Sequence, residues 1–398
     1  MKLTARTLVL LAISVAFAAT ARPAARAQAT VAPSLDEALH QIDTTLAAAV
    51  NADGVGGVSA AVMTGGKVVW SHHYGYAEVE TKRVATNTTD YRIGSITKQF
   101  TALMLLQLVE QGNVRLTDPV RTYLPEFDQV KDAIPGAPPV TLLQLATMTS
   151  GLAREPDGPM SQTSVGPLSE WQHKVLSLLP VTHFAHPPGT EYLYSNIGYA
   201  SLGLALERAA GQPYTKYVTD HILTPLGLTR TGFEPTADLR ANLAHGYTKR
   251  GATGTPDRTA PDQELDGRGF RVPNGALFST IDDLAKFAAW ELGDGPAALL
   301  NPATQSANYA RIYTTADNPA GGLTLTSFYG LGFMARRAGN DVFIGHSGST
   351  TGFLSAVFVH RPTKTAVIVL HNGDGGMFQP EREALKALES VVTAVKSR

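Results

Sequence analysis

The sequence predicts an α+β fold. One antiparallel sheet is built from N- and C-terminal segments, flanked by helices, with a mainly helical subdomain inserted over roughly residues 100–300. Three observations carry this. Two strand-like runs flank Gly65-Gly66 in VSAAVMTGGKVVWSHHYGYAEV, a hairpin signal. From about Ser95 to Leu300 the pattern is mostly helical, broken by Pro/Gly-rich loops. From Tyr329 onward YGLGFMARR, DVFIGHSGS, GFLSAVFVH and TAVIVLHN are short, bounded by turn residues and rich in Val, Phe and Ile, as strands are.

Along the chain, Lys2 and Arg6 precede an apolar run from Leu8 to Ala19, and small residues follow, ending in Ala27-Gln28-Ala29. This is the layout of a secretory signal peptide over residues 1–29, and it is short for a membrane span. Cleavage is expected after Ala29, with Ala21 as a second position and an uncleaved anchor helix as the alternative. Residues 30–398 then form the functional domain of an exported protein, periplasmic or secreted, with no stable membrane anchor after cleavage. SLDEALHQIDTTLAAAV reads as an amphipathic helix capped by Ser34 with acids in its first turn. At the other end PEREALKALESVVTAVKSR begins with Pro380 and repeats apolar residues at Leu385, Leu388, Val391, Val392 and Val395, one face of a helix. Two long loops, REPDGPMSQTSVGPLSE and KRGATGTPDRTAPDQELDGRG, are of a length that often lines functional sites.

Composition narrows the function. With 43% hydrophobic residues, 17% charged residues and a net charge of −1, the chain is an ordinary globular protein without the basic footprint of a nucleic-acid or anionic-membrane binder. It has no cysteine, hence no disulfide framework, no thiolate nucleophile, no Cys-based zinc site and no lipid-attachment cysteine. Of eleven histidines only His72 and His73 are adjacent, and neighbours on a strand point to opposite faces, so metal catalysis is not expected.

The chemistry is concentrated in YRIGSITKQFTALMLLQL. On a helix, positions i and i+3 share a face, so Ser95 in the first turn sets its hydroxyl near the ammonium of Lys98. Burial lowers a lysine's pKa, and a neutral amine beside a hydroxyl takes its proton and makes a nucleophile. The competing reading is a capping Ser95 and a Lys98 that snorkels to water. In PPGTEYLYSNIGYASLGLALERAAG, Tyr194 and Asn196 fall on a short extended segment before an apolar helix, where residues two apart point the same way. Tyr194 can relay a proton, and Asn196 can position a substrate carbonyl or Lys98; the alternative is a helix-capping Asn196 beside a buried, hydrogen-bonded Tyr194. FIGHSGSTTGFLSAVF is read as a strand on which Gly348 lets a ligand approach and His346 offers a proton or positive charge. H-x-G is a weak signal, since His73-Tyr74-Gly75 and His371-Asn372-Gly373 match it too.

Together, SITK, YSN and HSG, in this order and with LLQLATMTSGL and NGALFSTIDDLAKFAAW, resemble the class C β-lactamase and D-alanyl-D-alanine carboxypeptidase superfamily of serine hydrolases over nearly all of the mature chain. The resemblance implies a β-lactamase/transpeptidase-like fold with no metal or organic cofactor. It implies that Ser95 is acylated, that Lys98 accepts its proton and that Tyr194 exchanges protons with nucleophile and leaving group. By the same resemblance Asn196 positions substrate, which lies along His346-Ser347-Gly348, and the backbone N–H groups of Ser95 and Ser349 form the oxyanion hole. Of three departures, the first bears on substrate. His-Ser-Gly replaces the Lys-Thr-Gly usual in true β-lactamases, removing a permanent cation for a substrate carboxylate. Met148 stands where many relatives have histidine, a position read as structural. There is no E-x-x-L-N stretch to supply the deacylating glutamate of class A enzymes.

The sequence therefore points to a serine hydrolase acting through an acyl-enzyme on a D-amino-acid peptide or a small ester, a small-molecule or peptide partner in either case. β-Lactam hydrolysis is the alternative, and a non-catalytic penicillin- or peptidoglycan-binding module a further one. An α/β-hydrolase with Ser347 as nucleophile fails, because GHSGS lacks the final glycine of the elbow and a strand pattern follows it. Oligomeric state is not legible.

Overall fold

The two ends of the chain pair with each other. In the computed structural model, which describes residues 32–398 apart from 159–164, 250–253, 266, 297, 311–312 and 321–322, strand β1 (Gly57–Thr64) lies between β2 (Lys67–Gly75) and β8 (Thr365–His371). The sheet continues through β7 (Phe353–His360), β6 (Asp341–Thr350), β5 (Met334–Ala338), β4 (Leu323–Tyr329) and β3 (Tyr313–Ala320). Its eight strands run in the order β2-β1-β8-β7-β6-β5-β4-β3, with every pairing antiparallel. The expected α+β fold, with helices inserted between the strand-bearing ends, is what the chain adopts. Residues 1–29, read above as a signal peptide, lie outside the described residues. Among the described residues no helix is long and apolar enough to cross a membrane.

Each local signal has a physical counterpart. Gly65 and Gly66 take φ of 56° and 74°, the positive values that a two-residue hairpin turn requires at both central positions. Ser34 caps α1 (Leu35–Asp53) in a reciprocal pair with Glu37. Strand alternation splits the sheet's apolar residues between two cores. Val58, Ala60, Val62, Phe358, Val367 and Val369 pack against α1 and α6 (Pro380–Lys396). Ala61, Met63, Ile344, Val357, Val359 and Ile368 face the helical region on the other side.

That helical region holds α2 (Thr97–Glu110), α3 (Leu142–Ala146), α4 (Asn196–Ala210) and α5 (Ile281–Glu291). In α2 every residue from Thr97 to Leu108 is buried, so it is a core helix with no solvent face. Phe100 of α2 stacks on Phe287 of α5 at 4.6 Å between ring centroids, fixing the start of α2 against the sheet. The hairpin β3–β4 was not expected from sequence. Its first strand, YTTADNPA, is made of residues that mostly avoid strands, and it sits at the sheet's edge, where proline and unpaired backbone are tolerated.

Candidate active site

Ser95 sits in a single 3-10 turn, Gly94–Ile96, that runs directly into α2. The turn is held against β6 and β7 by backbone contact. A Cβ on Gly94, whose φ is +50°, would lie 2.7 Å from the Ser349 nitrogen, and one on Gly348 would lie 2.0 Å from the Ile93 carbonyl oxygen. Glycine at both positions lets the nucleophile-bearing turn and the strand touch. Gly348 thus serves a contact within the chain, with this chain's own Ile93 carbonyl against its Cα, and it also lines the cleft beside Ser95.

Lys98 does not snorkel. It is fully buried, and its Nζ donates to Ser95 Oγ (3.0 Å), Asn196 Oδ1 (2.9 Å) and the Asn274 carbonyl (2.8 Å). It also lies 4.8 Å from the Tyr194 ring centroid and 5.7 Å from that of Tyr199. Burial holds its pKa well below the ordinary lysine value, and the cations of Arg154 and Arg271 push it the same way against the opposing charge of Glu155. Nor does Ser95 cap α2 with its side chain. An amine whose pKa is depressed by burial, in hydrogen-bond contact with a hydroxyl, is suited to act as a base for that hydroxyl.

Tyr194 and Asn196 reach Lys98 from the far side of the cleft, as their spacing suggested, but by a different local route. Ser195, not Asn196, is the cap of α4. It has extended backbone and its Oγ accepts from the Gly198 N–H at 3.0 Å, and Asn196 is already the first helical residue. Ser195 donates in turn to the Ala153 carbonyl (2.8 Å), and the Leu193 N–H donates to the carbonyl of Met148 (2.8 Å). Met148 is buried at φ 58° and anchors this segment through its main chain, a structural role as expected. Burial raises the Tyr194 pKa despite its hydrogen bond to Ser95. Its phenol therefore stays protonated at neutral pH and can donate a proton, whereas a standing phenolate base is disfavoured.

The structure corrects the role read for His346. Strand alternation turns it into the core, where it is fully buried. Its Nδ1–H donates to the Ser347 carbonyl, so Nε2 is the acceptor and takes the Tyr329 hydroxyl at 3.1 Å. Burial and the nearby Lys98 push its pKa down to about 3. It offers neither a positive charge nor a free proton to a ligand. It packs instead beneath Tyr194, with ring centroids 6.4 Å apart, and positions that phenol together with Tyr329. Ser347 faces the other way and its hydroxyl donates to Glu381 of α6 (2.6 Å), while Ser349 is exposed at the cleft. Ser347 lies mid-strand with no helix after it, so the hydrolase-elbow reading has no support.

Beside Ser95 the cleft has two arms. One, about 400 Å³, is lined by Arg154, Arg268, Arg271, Asn274 and Thr351, and the other, about 360 Å³, by Tyr192, Tyr194, Met334 and Leu354. Strand β5 stops opposite Gly345, so residues 346–350 of β6 have no strand neighbour on that side among the described residues. An extended ligand can hydrogen-bond to such an edge. Two residues that sequence reasoning missed complete the site. Asn274 gives its carbonyl to Lys98 and its Nδ2 to the Asn196 carbonyl (2.6 Å), and Glu155 accepts from Asn196 Nδ2 (2.6 Å) and pairs with Arg271 (3.0 Å). Asn274 lay within a stretch that carried the family resemblance, and Glu155 within one of the two long loops, but neither had a spacing signal of its own.

With this geometry in place, comparison with known proteins is decisive for the family. A family model described as Beta-lactamase matches residues 42–391. The chain belongs to the Beta-lactamase family. Protein flp from Staphylococcus aureus (strain NCTC 8325 / PS 47) is 29% identical over 337 residues, which is 85% of this chain but 64% of that relative, so this chain spans less than two thirds of its length. Among solved structures, the octameric penicillin-binding protein homologue from Pyrococcus abyssi aligns with a TM-score of 0.74 at 25% identity, over 89% of this chain and 77% of that one. The D-amino acid amidase from Ochrobactrum anthropi SV3, whose structure holds L-phenylalanine amide, aligns with a TM-score of 0.70 at 25% identity over 91% of this chain and 98% of that one. This chain is thus a β-lactamase and penicillin-binding-protein-like member of a serine hydrolase superfamily.

Proposed function

We propose that this protein is an exported hydrolase that forms an acyl-enzyme at Ser95 and acts on peptides ending in D-amino acids or on small esters. The observation that carries the reading is the buried Lys98 amine, its pKa depressed, 3.0 Å from Ser95 Oγ. In the first step the neutral Lys98 amine takes the Ser95 proton, and the oxygen attacks the substrate carbonyl. The resulting oxyanion is held by the N–H groups of Ser95 and Ser349, a reading supported by the close approach of Gly94 to Ser349. Tyr194 gives its proton to the leaving group and recovers one from Lys98, leaving the acyl-serine. Water then attacks that ester, with the same residues moving the proton in reverse. Asn196, fixed by Lys98 and Glu155, positions the acyl part, and substrate runs along the open edge of β6. The D-amino acid amidase among the structural neighbours supports the choice of D-configured substrates. The signal-peptide layout of residues 1–29 supports export.

The test uses the chain without residues 1–29, a chromogenic D-alanyl ester and benzylpenicillin, with intact mass as a second readout. The wild type is expected to turn over the ester, and Ser95→Ala to lose turnover to background. A binding module that turns nothing over would leave both at background. A lasting penicillin adduct on Ser95 identifies a penicillin-binding peptidase, and rapid loss of the drug without an adduct identifies a β-lactamase.

The pH profile follows from Lys98. Its protonated form cannot accept the Ser95 proton, so kcat/KM rises as pH passes through the depressed lysine pKa. It levels off before pH 10.5, the value for an ordinary lysine. A profile still climbing at that pH would show that no depressed base operates.

A further inference from the structure

We infer that Arg154 holds an anionic group of the substrate, a carboxylate on the leaving-group side, and so supplies the cation that strand β6 lacks. This rests on the reading of Ser95 as the acylated residue.

The motif on β6 carries histidine in place of a permanent cation, and that histidine is buried with both ring nitrogens engaged. The cleft is nonetheless cationic, from the opposite wall. Arg154 lines both arms together with Ser95 and Ser349, and its guanidinium lies over the ring of Tyr194, the residue read as proton donor to the leaving group, so it is within reach of that part of a ligand placed at Ser95. Its main chain is anchored, because its carbonyl accepts the Asn196 N–H at 2.8 Å. Its guanidinium carbon lies 4.8 Å from the Tyr194 ring centroid, which holds the side chain over the cleft.

What distinguishes Arg154 from its neighbours is the state of the surrounding charges. Arg268 is buried against Glu264, and Arg271 is mostly buried against Glu155 at 3.0 Å. Glu155 also takes the Asn196 amide at 2.6 Å, and its closest approach to Arg154 is 3.9 Å, beyond a hydrogen bond. The Arg154 side chain is 62% exposed. Asp374, in the same arm, accepts the Gly352 N–H at 2.8 Å. Thus the acids of this wall are committed elsewhere, while the exposed guanidinium keeps donors available in a planar fork that suits a carboxylate.

The experiment compares two aryl esters of one N-acyl-D-alanine that differ only in bearing a carboxylate or a carboxamide on the leaving aryl group. The wild type is expected to prefer the carboxylate ester, by a ratio of kcat/KM that shrinks with added salt. In Arg154→Gln that ratio should fall about tenfold, chiefly through KM, as expected for a lost charge-assisted hydrogen bond. Arg154→Lys should recover part of it. A ratio unchanged in Arg154→Gln, with both esters still hydrolysed, overturns the Arg154 assignment and leaves the hydrolase reading standing. A wild type that hydrolyses neither ester overturns both.

Discussion

Replacing Lys98 by methionine lowers kcat/KM for the chromogenic ester by about 10³-fold, the scale of a positioned general base. Methionine keeps the length and apolar stem of the side chain but has no amine, so Ser95 Oγ loses the acceptor 3.0 Å away. Two further contacts end with it, since Asn196 Oδ1 and the Asn274 carbonyl both accept from the same nitrogen. Some stability should therefore be lost through unpaired buried acceptors, and a thermal melt separates this from the kinetic effect. Intact mass supplies the mechanistic readout: the variant should acylate with benzylpenicillin or a D-alanyl ester far more slowly than wild type. Retention of more than a tenth of wild-type activity would remove Lys98 from the role of base.

Gly348→Ala is the second large effect, and it acts through the backbone. The new Cβ would lie 2.0 Å from the Ile93 carbonyl oxygen and 2.5 Å from Ser355 Oγ, so either the turn that carries Ser95 or strand β6 has to move. Overpacking of this kind costs about 1–3 kcal/mol of stability. The same displacement pulls the Ser95 and Ser349 amides apart, and misplacing reacting groups by about 1 Å costs about 10²-fold in rate. Gly232→Ala is the control: its Cβ meets nothing within 4 Å, and its effect should stay within about 0.5 kcal/mol. Activity that falls equally in both variants, or in neither, would show that the Gly348 contact does not set the site.

Much of the site was legible because it rests on short-range geometry. Ser95 and Lys98 meet through a spacing of three residues at a helix start, and Tyr194 and Asn196 lie only two residues apart. What was not legible depends on residues far apart in the chain. Asn274 meets Lys98 across 176 positions, and Glu155 meets Asn196 across 41. The charge state of His346 was misread for the same reason. A histidine on a strand faces either a ligand or a core, and only the packing of Tyr329 and Tyr194 around it decides which.

By itself, the sequence determined the class of fold, the hairpin at Gly65-Gly66, the two helices that cover the sheet's outer face, and the identity of the nucleophile–lysine pair as candidates. Each follows from periodicity, capping or turn chemistry, which act over a few residues. The tertiary structure decided that Lys98 is buried rather than solvated, that His346 is neutral, that Gly348 serves a contact within the chain, and that the exposed cation of the cleft is Arg154. The physical reason is common to all four. Desolvation and charge compensation are sums over every neighbour in space, and most of those neighbours are remote in sequence.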